Sequence, residues 1–302
     1  MRSRKVLRKL IPQIANFFCL GSVSKVTDAD GANANFIITT SRGRFFVKIN
    51  LEPHTRDNKL LEAAYVAHLR EQGIPVIPYL PGNDGTSICK IDDIMAMSQK
   101  VAPGSNPDTT IANVSQIGKF LGKLHLVPTS SLPYRYGWLS PEYIQKNLVR
   151  FASDRGFRGH PDARKILSVY GSCDEFVRDI VPKLPASIVH SDLHSENVLF
   201  KNGQLTAVVD WEDSTIAPSL FDFVSSAAYW CFDFDRGTMR PKLYRAFRES
   251  YEKERPLTEL EVKYLPDCMR YVSVLQTMWR FLNCYKRDRH SSLWGLKTCG
   301  WN

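Results

Sequence analysis

The stretch Ile188 to Phe200 reads IVHSDLHSENVLF and sets His190, Asp192, His194 and Asn197 within eight positions. Asn197 lies five residues after Asp192, and Asp210 follows thirteen residues after Asn197. Phosphoryl transfer asks for this kind of set. One carboxylate orients and accepts the proton of an attacking hydroxyl, and carboxylate and amide oxygens hold a magnesium ion against phosphates. Asp192 is the candidate base, and Asn197 with Asp210 are the candidate magnesium ligands. Two other readings stand beside this one. His190, Asp192 and His194 alternate, so an extended strand would put all three on one face, as zinc or iron would require. No further His, Cys or acid nearby completes such a set. Asp192 could also be an ordinary polar turn residue.

The sequence between Asn197 and Asp210 favours the first reading. Asn202-Gly203 separates ENVLF from LTAVVD and is a strong hairpin signal. A tight hairpin would bring Asn197 and Asp210 to neighbouring strand ends, where both could reach one metal. The order H-x-D-x-x-x-x-N, hairpin, D is the catalytic-loop pattern of kinases with its metal aspartate. Lys48, on the run RFFVKIN, occupies the position of a phosphate-pairing lysine. Glu62 lies fourteen residues on, in the following helical segment, as its expected partner. The turn DADGANANF has one glycine and lacks G-x-G-x-x-G. It can still offer backbone N–H groups to phosphates.

The elements that must position these residues are legible as patterns. GSVSKVTDAD, FIITTS and RFFVKIN read as strands. A helix follows with Leu61, Ala64, Tyr65, His68 and Leu69 on one face, ended by Gly73 and Pro75. ICKIDDIMAMSQKV reads as two strands about a turn, and VAPGSNP as a linker. Beyond it the pattern turns helical. Val114, Ile117, Gly118, Leu121, Leu124 and His125 share a face, and Ser140-Pro141 opens another helix. Ser172 with Glu175 and Thr258 with Glu261 have capping-box spacing. These patterns predict two lobes: 1–101, a small antiparallel sheet with one helix, and 102–302, larger and mainly helical.

Composition sets outer bounds. The 302 residues are 43% hydrophobic and carry a formal charge of +9, which favours anionic partners. The basic residues are dispersed and no nucleic-acid motif is present, so no nucleic-acid partner is expected. Seven cysteines, an odd number with no C-x-x-C pair, point to reduced thiols rather than a disulfide framework or zinc site. The start MRSRKVLRKL, followed by IPQIANFFCL, is interrupted by Pro12, Gln13 and Asn16. It reads as a short amphipathic helix rather than a leader, on a protein expected to be cytoplasmic. No apolar run reaches the ~18 residues that would span a membrane.

HSDLHSENVLF followed by AVVDWEDSTIAPSLFDF resembles the signature of the aminoglycoside phosphotransferase and choline kinase superfamily. That resemblance covers roughly 20 to 285. It implies an α+β, bilobal, protein-kinase-like fold and ATP- and Mg2+-dependent phosphorylation of a small-molecule hydroxyl. It implies Asp192 as base, Asn197 and Asp210 on magnesium, and Lys48 on the nucleotide phosphates, oriented by Glu62. Gln99 to Val101 becomes the hinge whose backbone meets adenine. Asp222 braces the catalytic loop, His190 supports it from behind, and Glu212 assists at a second metal or steadies the loop. Trp230, Asp233, Asp235, Tyr271 and Arg280 fall in the helical region that forms the family's acceptor site.

Within the superfamily, ANANFIITTSRGRFFVKI, HLREQGIPVI and YEKERPLTELEVKYLPDCMRYV most resemble bacterial homoserine kinases. His194 and Glu212 stand where those kinases usually carry aromatics, Ala217 stands where the superfamily often has an acid, and SSLWGLKTCGWN departs from the ending expected of them. The leading expectation is a kinase for homoserine or a similar amino acid or amino alcohol. An antibiotic phosphotransferase, a nucleotide-binding pseudokinase and a metal-dependent hydrolase built on HSDLH are the competing readings.

Overall fold

The computed structural model describes residues 4–29, 34–50, 56–134, 139, 141–153, 161–233 and 235–284, apart from the side chains of 50, 141–143 and 280–284. The turn at residues 30–33 and the tail from 285 onward lie outside the described residues. The chain divides into two units: Met1–Ser105 with Thr206–Glu212, and Asn106–Leu205 with Asp213–Asn302. The first boundary falls after 105 rather than 101. Val101 donates its N–H to the Arg44 carbonyl and Thr206 its hydroxyl to the Pro103 carbonyl, which ties the linker to the first unit.

In the first unit, β1 (Val23–Ala29), β2 (Ala34–Thr40), β3 (Gly43–Asn50), β4 (Cys89–Ile91) and β5 (Ile94–Lys100) form one sheet, ordered β1-β2-β3-β5-β4. All its pairings are antiparallel. Branched and aromatic side chains alternate along β2 and β3, so one sheet face is apolar. Phe36, Ile38, Phe45, Val47, Ile49 and Ala96 on the sheet cluster with Leu7, Ile11, Ile14 and Phe18 from the N-terminal segment. That segment forms two short helices, α1 (Arg4–Arg8) and α2 (Ile11–Phe17), rather than one. The chain turns at Lys9 and Leu10, and Pro12 takes the start of α2, where its missing N–H costs nothing. Lys48 lies between Val47 and Ile49, and so projects from the opposite sheet face.

The predicted helix is α3 (Arg56–Glu71), and Gly73 follows it at φ +77°, a left-handed C-terminal geometry. Its buried face matches the one the apolar spacing marks only in part, at Tyr65 and Leu69. Lys59, Glu62, Tyr65, Val66 and Leu69 are buried, while Ala64 is exposed and Leu61 and His68 are half-buried. The helix turns an ion pair inward, so a count of apolar residues misplaces its face.

The second unit is mainly helical. It contains α4 (Ile111–Leu124), α5 (Pro141–Ser153), α6 (Pro161–Gly171), α7 (Ser219–Cys231), α8 (Pro241–Glu254), α9 (Glu259–Lys263) and α10 (Leu265–Cys284). Thr110 caps α4 by accepting from the Asn113 N–H. Val114, Ile117, Gly118, Leu121 and Leu124 are buried along it, as their spacing predicts. α4 and α8 cross closely: a Cβ on Gly118 would lie 2.2 Å from the Phe247 carbonyl oxygen, and one on Gly122 2.8 Å from that of Tyr251. Thr258 and Glu261 form the expected capping box at α9. Ser172 and Glu175 do not form one. Ser172 instead donates to the Val169 carbonyl as α6 ends, and a π-helical turn over Phe176–Ile180 follows. The short antiparallel pair β6 (Ala186–Val189) and β9 (Thr215–Pro218) delivers the chain to His190. Asn202 (φ +52°) and Gly203 (φ +72°) make the tight turn between β7 (Val198–Lys201) and β8 (Gln204–Val208).

Candidate active site

In the second unit, the loop after β6 is held from behind by one carboxylate. Asp222, on the first turn of α7, accepts the N–H of His190 at 2.7 Å on Oδ2 and that of Ser191 at 3.0 Å on Oδ1. Both residues are buried, and Ser191 sits at φ +73°, a conformation L-residues rarely adopt. The brace holds the backbone in that strained turn. Asp222 also faces His125, whose Nε2 lies 3.4 Å from Oδ2. His125 Nδ1 is 2.8 Å from the Tyr251 hydroxyl, and Arg255 donates to that hydroxyl at 2.9 Å while pairing with Glu261. The tautomer follows from the partners. Arg255 only donates, so the Tyr251 hydrogen turns to Nδ1, and His125 offers Nε2–H to Asp222. Burial lowers the His125 pKa, against the pull of Asp222, and keeps the ring neutral. A buried polar chain therefore runs from the α9 cap to the loop.

At the front of the loop stands Asp192. Its Oδ2 lies 3.3 Å from His194 Nε2 and 3.3 Å from Asn197 Nδ2, and the Tyr229 hydroxyl donates to Oδ1 at 3.5 Å. His190 is fully buried and its Nδ1 accepts the Asp192 N–H at 3.3 Å, a scaffold contact. His194 Nδ1 accepts the Glu196 N–H, so the single ring proton sits on Nε2, toward Asp192. Burial alone would raise the Asp192 pKa. The His194 hydrogen bond, the two histidines and Asn197 outweigh it and leave the pKa below the usual value, so Asp192 is ionised at neutral pH. The side-chain hydrogen bonds of Asn197 run through Nδ2, to the Asp192 carbonyl and carboxylate. Its amide oxygen is the group left to act as a ligand. Asn106 steadies the same loop, donating to the carbonyls of Ser195 and Glu196.

In the first unit, Lys48 is 5% exposed and its Nζ lies 2.7 Å from both Asp210 Oδ1 and Glu212 Oε2. Burial opposes its charge, but the carboxylates of Asp210, Glu212 and Glu62 win and raise its pKa, so it is a permanent cation. Glu212 is pushed up by burial and pulled down further by Lys48 and Lys59, and is ionised. The expected ion pair of Lys48 with Glu62 is replaced. Glu62 pairs with Lys59 at 2.8 Å and accepts the Tyr79 hydroxyl, because α3 brings Lys59 one turn away on the same buried face. Asp210 adopts φ +61°, and Trp211 anchors the segment through Nε1 to the Val208 carbonyl.

The hinge candidates are partly committed within the sheet. Gln99 uses its side-chain amide on the Ile77 carbonyl, and the Val101 N–H is taken by Arg44. An adenine contact at Val101 would run through its carbonyl. Two of the substrate candidates are packed into the second unit. Trp230 is 1% exposed and donates Nε1–H to the Leu193 carbonyl, which makes it a support of the loop. Tyr271 is 3% exposed and packs against Tyr170, Phe176 and Phe221. Neither side chain is presented to an acceptor, because apolar burial governs both positions. Asp233 is half-buried and accepts the Arg236 N–H, Asp235 is exposed, and the Arg280 side chain lies outside the described residues.

Lys59, Tyr79, His125, Tyr229, Tyr251 and Asn106 were not singled out for the site by spacing. Lys59 alone carried a signal, as a cation one turn before Glu62. Among the described residues, no group of three or more His, Cys, Asp or Glu side chains could hold a metal ion, so HSDLH forms no zinc-type cluster. No described helix is long and apolar enough to cross a membrane.

Comparison with known proteins gives the family and the fold. Residues 26–260 match the model of the phosphotransferase enzyme family. The chain is 25% identical over 258 residues to a homoserine kinase of Bradyrhizobium sp. strain BTAi1, covering 83% of this chain and 76% of that protein. Among solved structures, an amicoumacin kinase in complex with AMP-PNP and Ca2+ superposes with a TM-score of 0.78 at 16% identity. It covers 96% of this chain and 91% of that one. A microcompartment-associated aminopropanol kinase gives 0.72 at 17% identity, with 96% and 95% covered. The α+β, kinase-like fold is thus shared with these solved structures, and the chain belongs to the phosphotransferase enzyme family as a small-molecule kinase that acts on a hydroxyl group.

Proposed function

We propose that the protein transfers the γ-phosphoryl group of ATP to the hydroxyl of homoserine or a closely similar amino acid or amino alcohol. The observation that carries the reading is the state of Asp192: an ionised carboxylate fixed by His194 and Asn197 in a loop that Asp222 braces. Such a group orients an alcohol and takes its proton as the phosphoryl group arrives. Lys48 is the cation for the nucleotide phosphates. Asn197 and Asp210 are the ligands for a divalent ion, with Glu212 assisting. The donors fit magnesium, which favours a few oxygen ligands and retains water. Asn197 offers an amide oxygen, and the Asp210 side chain is 41% exposed. Magnesium, when bound, neutralises charge on the transferring phosphate.

Homoserine leads because several homoserine kinases match this chain at about a quarter identity. A panel with purified protein, ATP and magnesium tests it: homoserine, choline, ethanolamine, sugars and aminoglycosides, followed by ADP release. Homoserine should give the highest kcat/KM. A preference for choline, a sugar or an aminoglycoside by tenfold or more overturns the substrate while leaving the reaction class standing.

A further inference from the structure

The first unit buries a second lysine that the phosphate-contacting role of Lys48 does not account for. Lys59 is 0% exposed, with Nζ 2.8 Å from Glu62 Oε2 and 3.4 Å from Glu212 Oε2. Glu212 Oε2 also receives Lys48 at 2.7 Å, and Lys48 reaches Asp210 at the same distance. The other Glu62 oxygen takes the Tyr79 hydroxyl. Glu62 is therefore satisfied without Lys48, and Glu212 is shared between two lysines. A buried ammonium is costly to desolvate, and an apolar side chain at this helix position would cost less. Two lysines here face three carboxylates. If Lys48 turns toward phosphate, Lys59 still stands beside both Glu62 and Glu212 as a cation.

Resting on the nucleotide reading above, we infer that Lys59 is a positioning residue of the nucleotide site: it remains the counter-ion of Glu62 and Glu212 and so releases Lys48 to the phosphates. Without it, both carboxylates draw on Lys48, and nucleotide must compete with two anions, one of them buried, for one cation. The rival is a plain ion pair that only holds α3 in place.

The test measures ATP–magnesium binding by titration calorimetry, alongside thermal unfolding, for Lys59→Met and for Lys59→Met/Glu62→Gln. The single variant should lose stability and bind ATP–magnesium more weakly, on the order of tenfold. The double variant removes the stranded Glu62 charge. It should recover stability yet stay weak for nucleotide, because Glu212 still holds Lys48. Wild-type affinity in either folded variant overturns the inference. If the single variant does not fold, the double variant decides, and unfolding of both also overturns it by making Lys59 a requirement of the fold alone. Lys48→Met serves as the separate check. If that variant binds ATP–magnesium as tightly as wild type, the nucleotide reading itself fails.

Discussion

Asp192 owes its chemistry to neighbours rather than to exposure alone. His194 Nε2–H and Asn197 Nδ2 both address Oδ2, and the Tyr229 hydroxyl addresses Oδ1. Asp192→Asn keeps the shape of the side chain and removes the proton acceptor. It should lower kcat by about 10²–10⁴-fold while leaving ATP–magnesium affinity within a few-fold of wild type. Turnover assays paired with titration calorimetry check this, and full turnover in the variant would sink the assignment. At the residue scale, spacing alone was enough to pick out candidates. The interval from Asp192 to Asn197 and on to Asp210 singled out a base and two ligand candidates. The partner of Glu62 was not legible. Lys59 sits three residues earlier on a helix, where lysine is usually solvated, and only the fold shows that this face turns inward.

At the scale of elements, two helices set the height of the loop. α4 carries Gly118 and Gly122 against the backbone of α8, so the helices approach more closely than side chains would allow. The same contact brings His125, just past the end of α4, to Tyr251 on α8, and from there to Asp222 on α7. Gly118→Ala would place a Cβ 2.2 Å from the Phe247 carbonyl oxygen, a contact backbone can relieve only by moving a helix. We expect a loss of about 1–3 kcal/mol, read by denaturant unfolding, despite the better helix propensity of alanine. An unchanged or raised midpoint would show that the helices have slack. α4 itself was legible, since its apolar stripe repeats at helical spacing. The reason for two glycines in that stripe was not, because a close approach belongs to a partner helix about 130 residues further along the chain.

For the whole molecule, the legible part is the order of elements: a sheet-rich first unit, then a mainly helical one, with the hairpin turn at Asn202-Gly203 between the loop and Asp210. Three things needed the folded chain: the placement of residues 206–212 with the first unit, the N-terminal helices covering the sheet, and the buried polar chain from Glu261 to Asp222. Each depends on contacts between distant segments that no local pattern encodes. The polar chain has a consequence for global stability. His125 faces the Tyr251 hydroxyl and Asp222, with Arg255 and Glu261 beyond, and burial holds its pKa below 6.5 in the fold. The unfolded chain protonates this ring near pH 6.5, so below that pH it binds the proton that the fold refuses. The contribution of His125 is therefore complete above pH 6.5 and is lost as pH falls toward the lowered folded value, by up to about 1.4 kcal/mol per pH unit. His125→Gln removes the titration. Calorimetric scans from pH 7.5 to 5 should show a lower midpoint for the variant at pH 7.5 and a shallower decline into acid than in wild type. Parallel declines would mean that other groups, carboxylates paired with lysine or arginine foremost, carry the acid sensitivity.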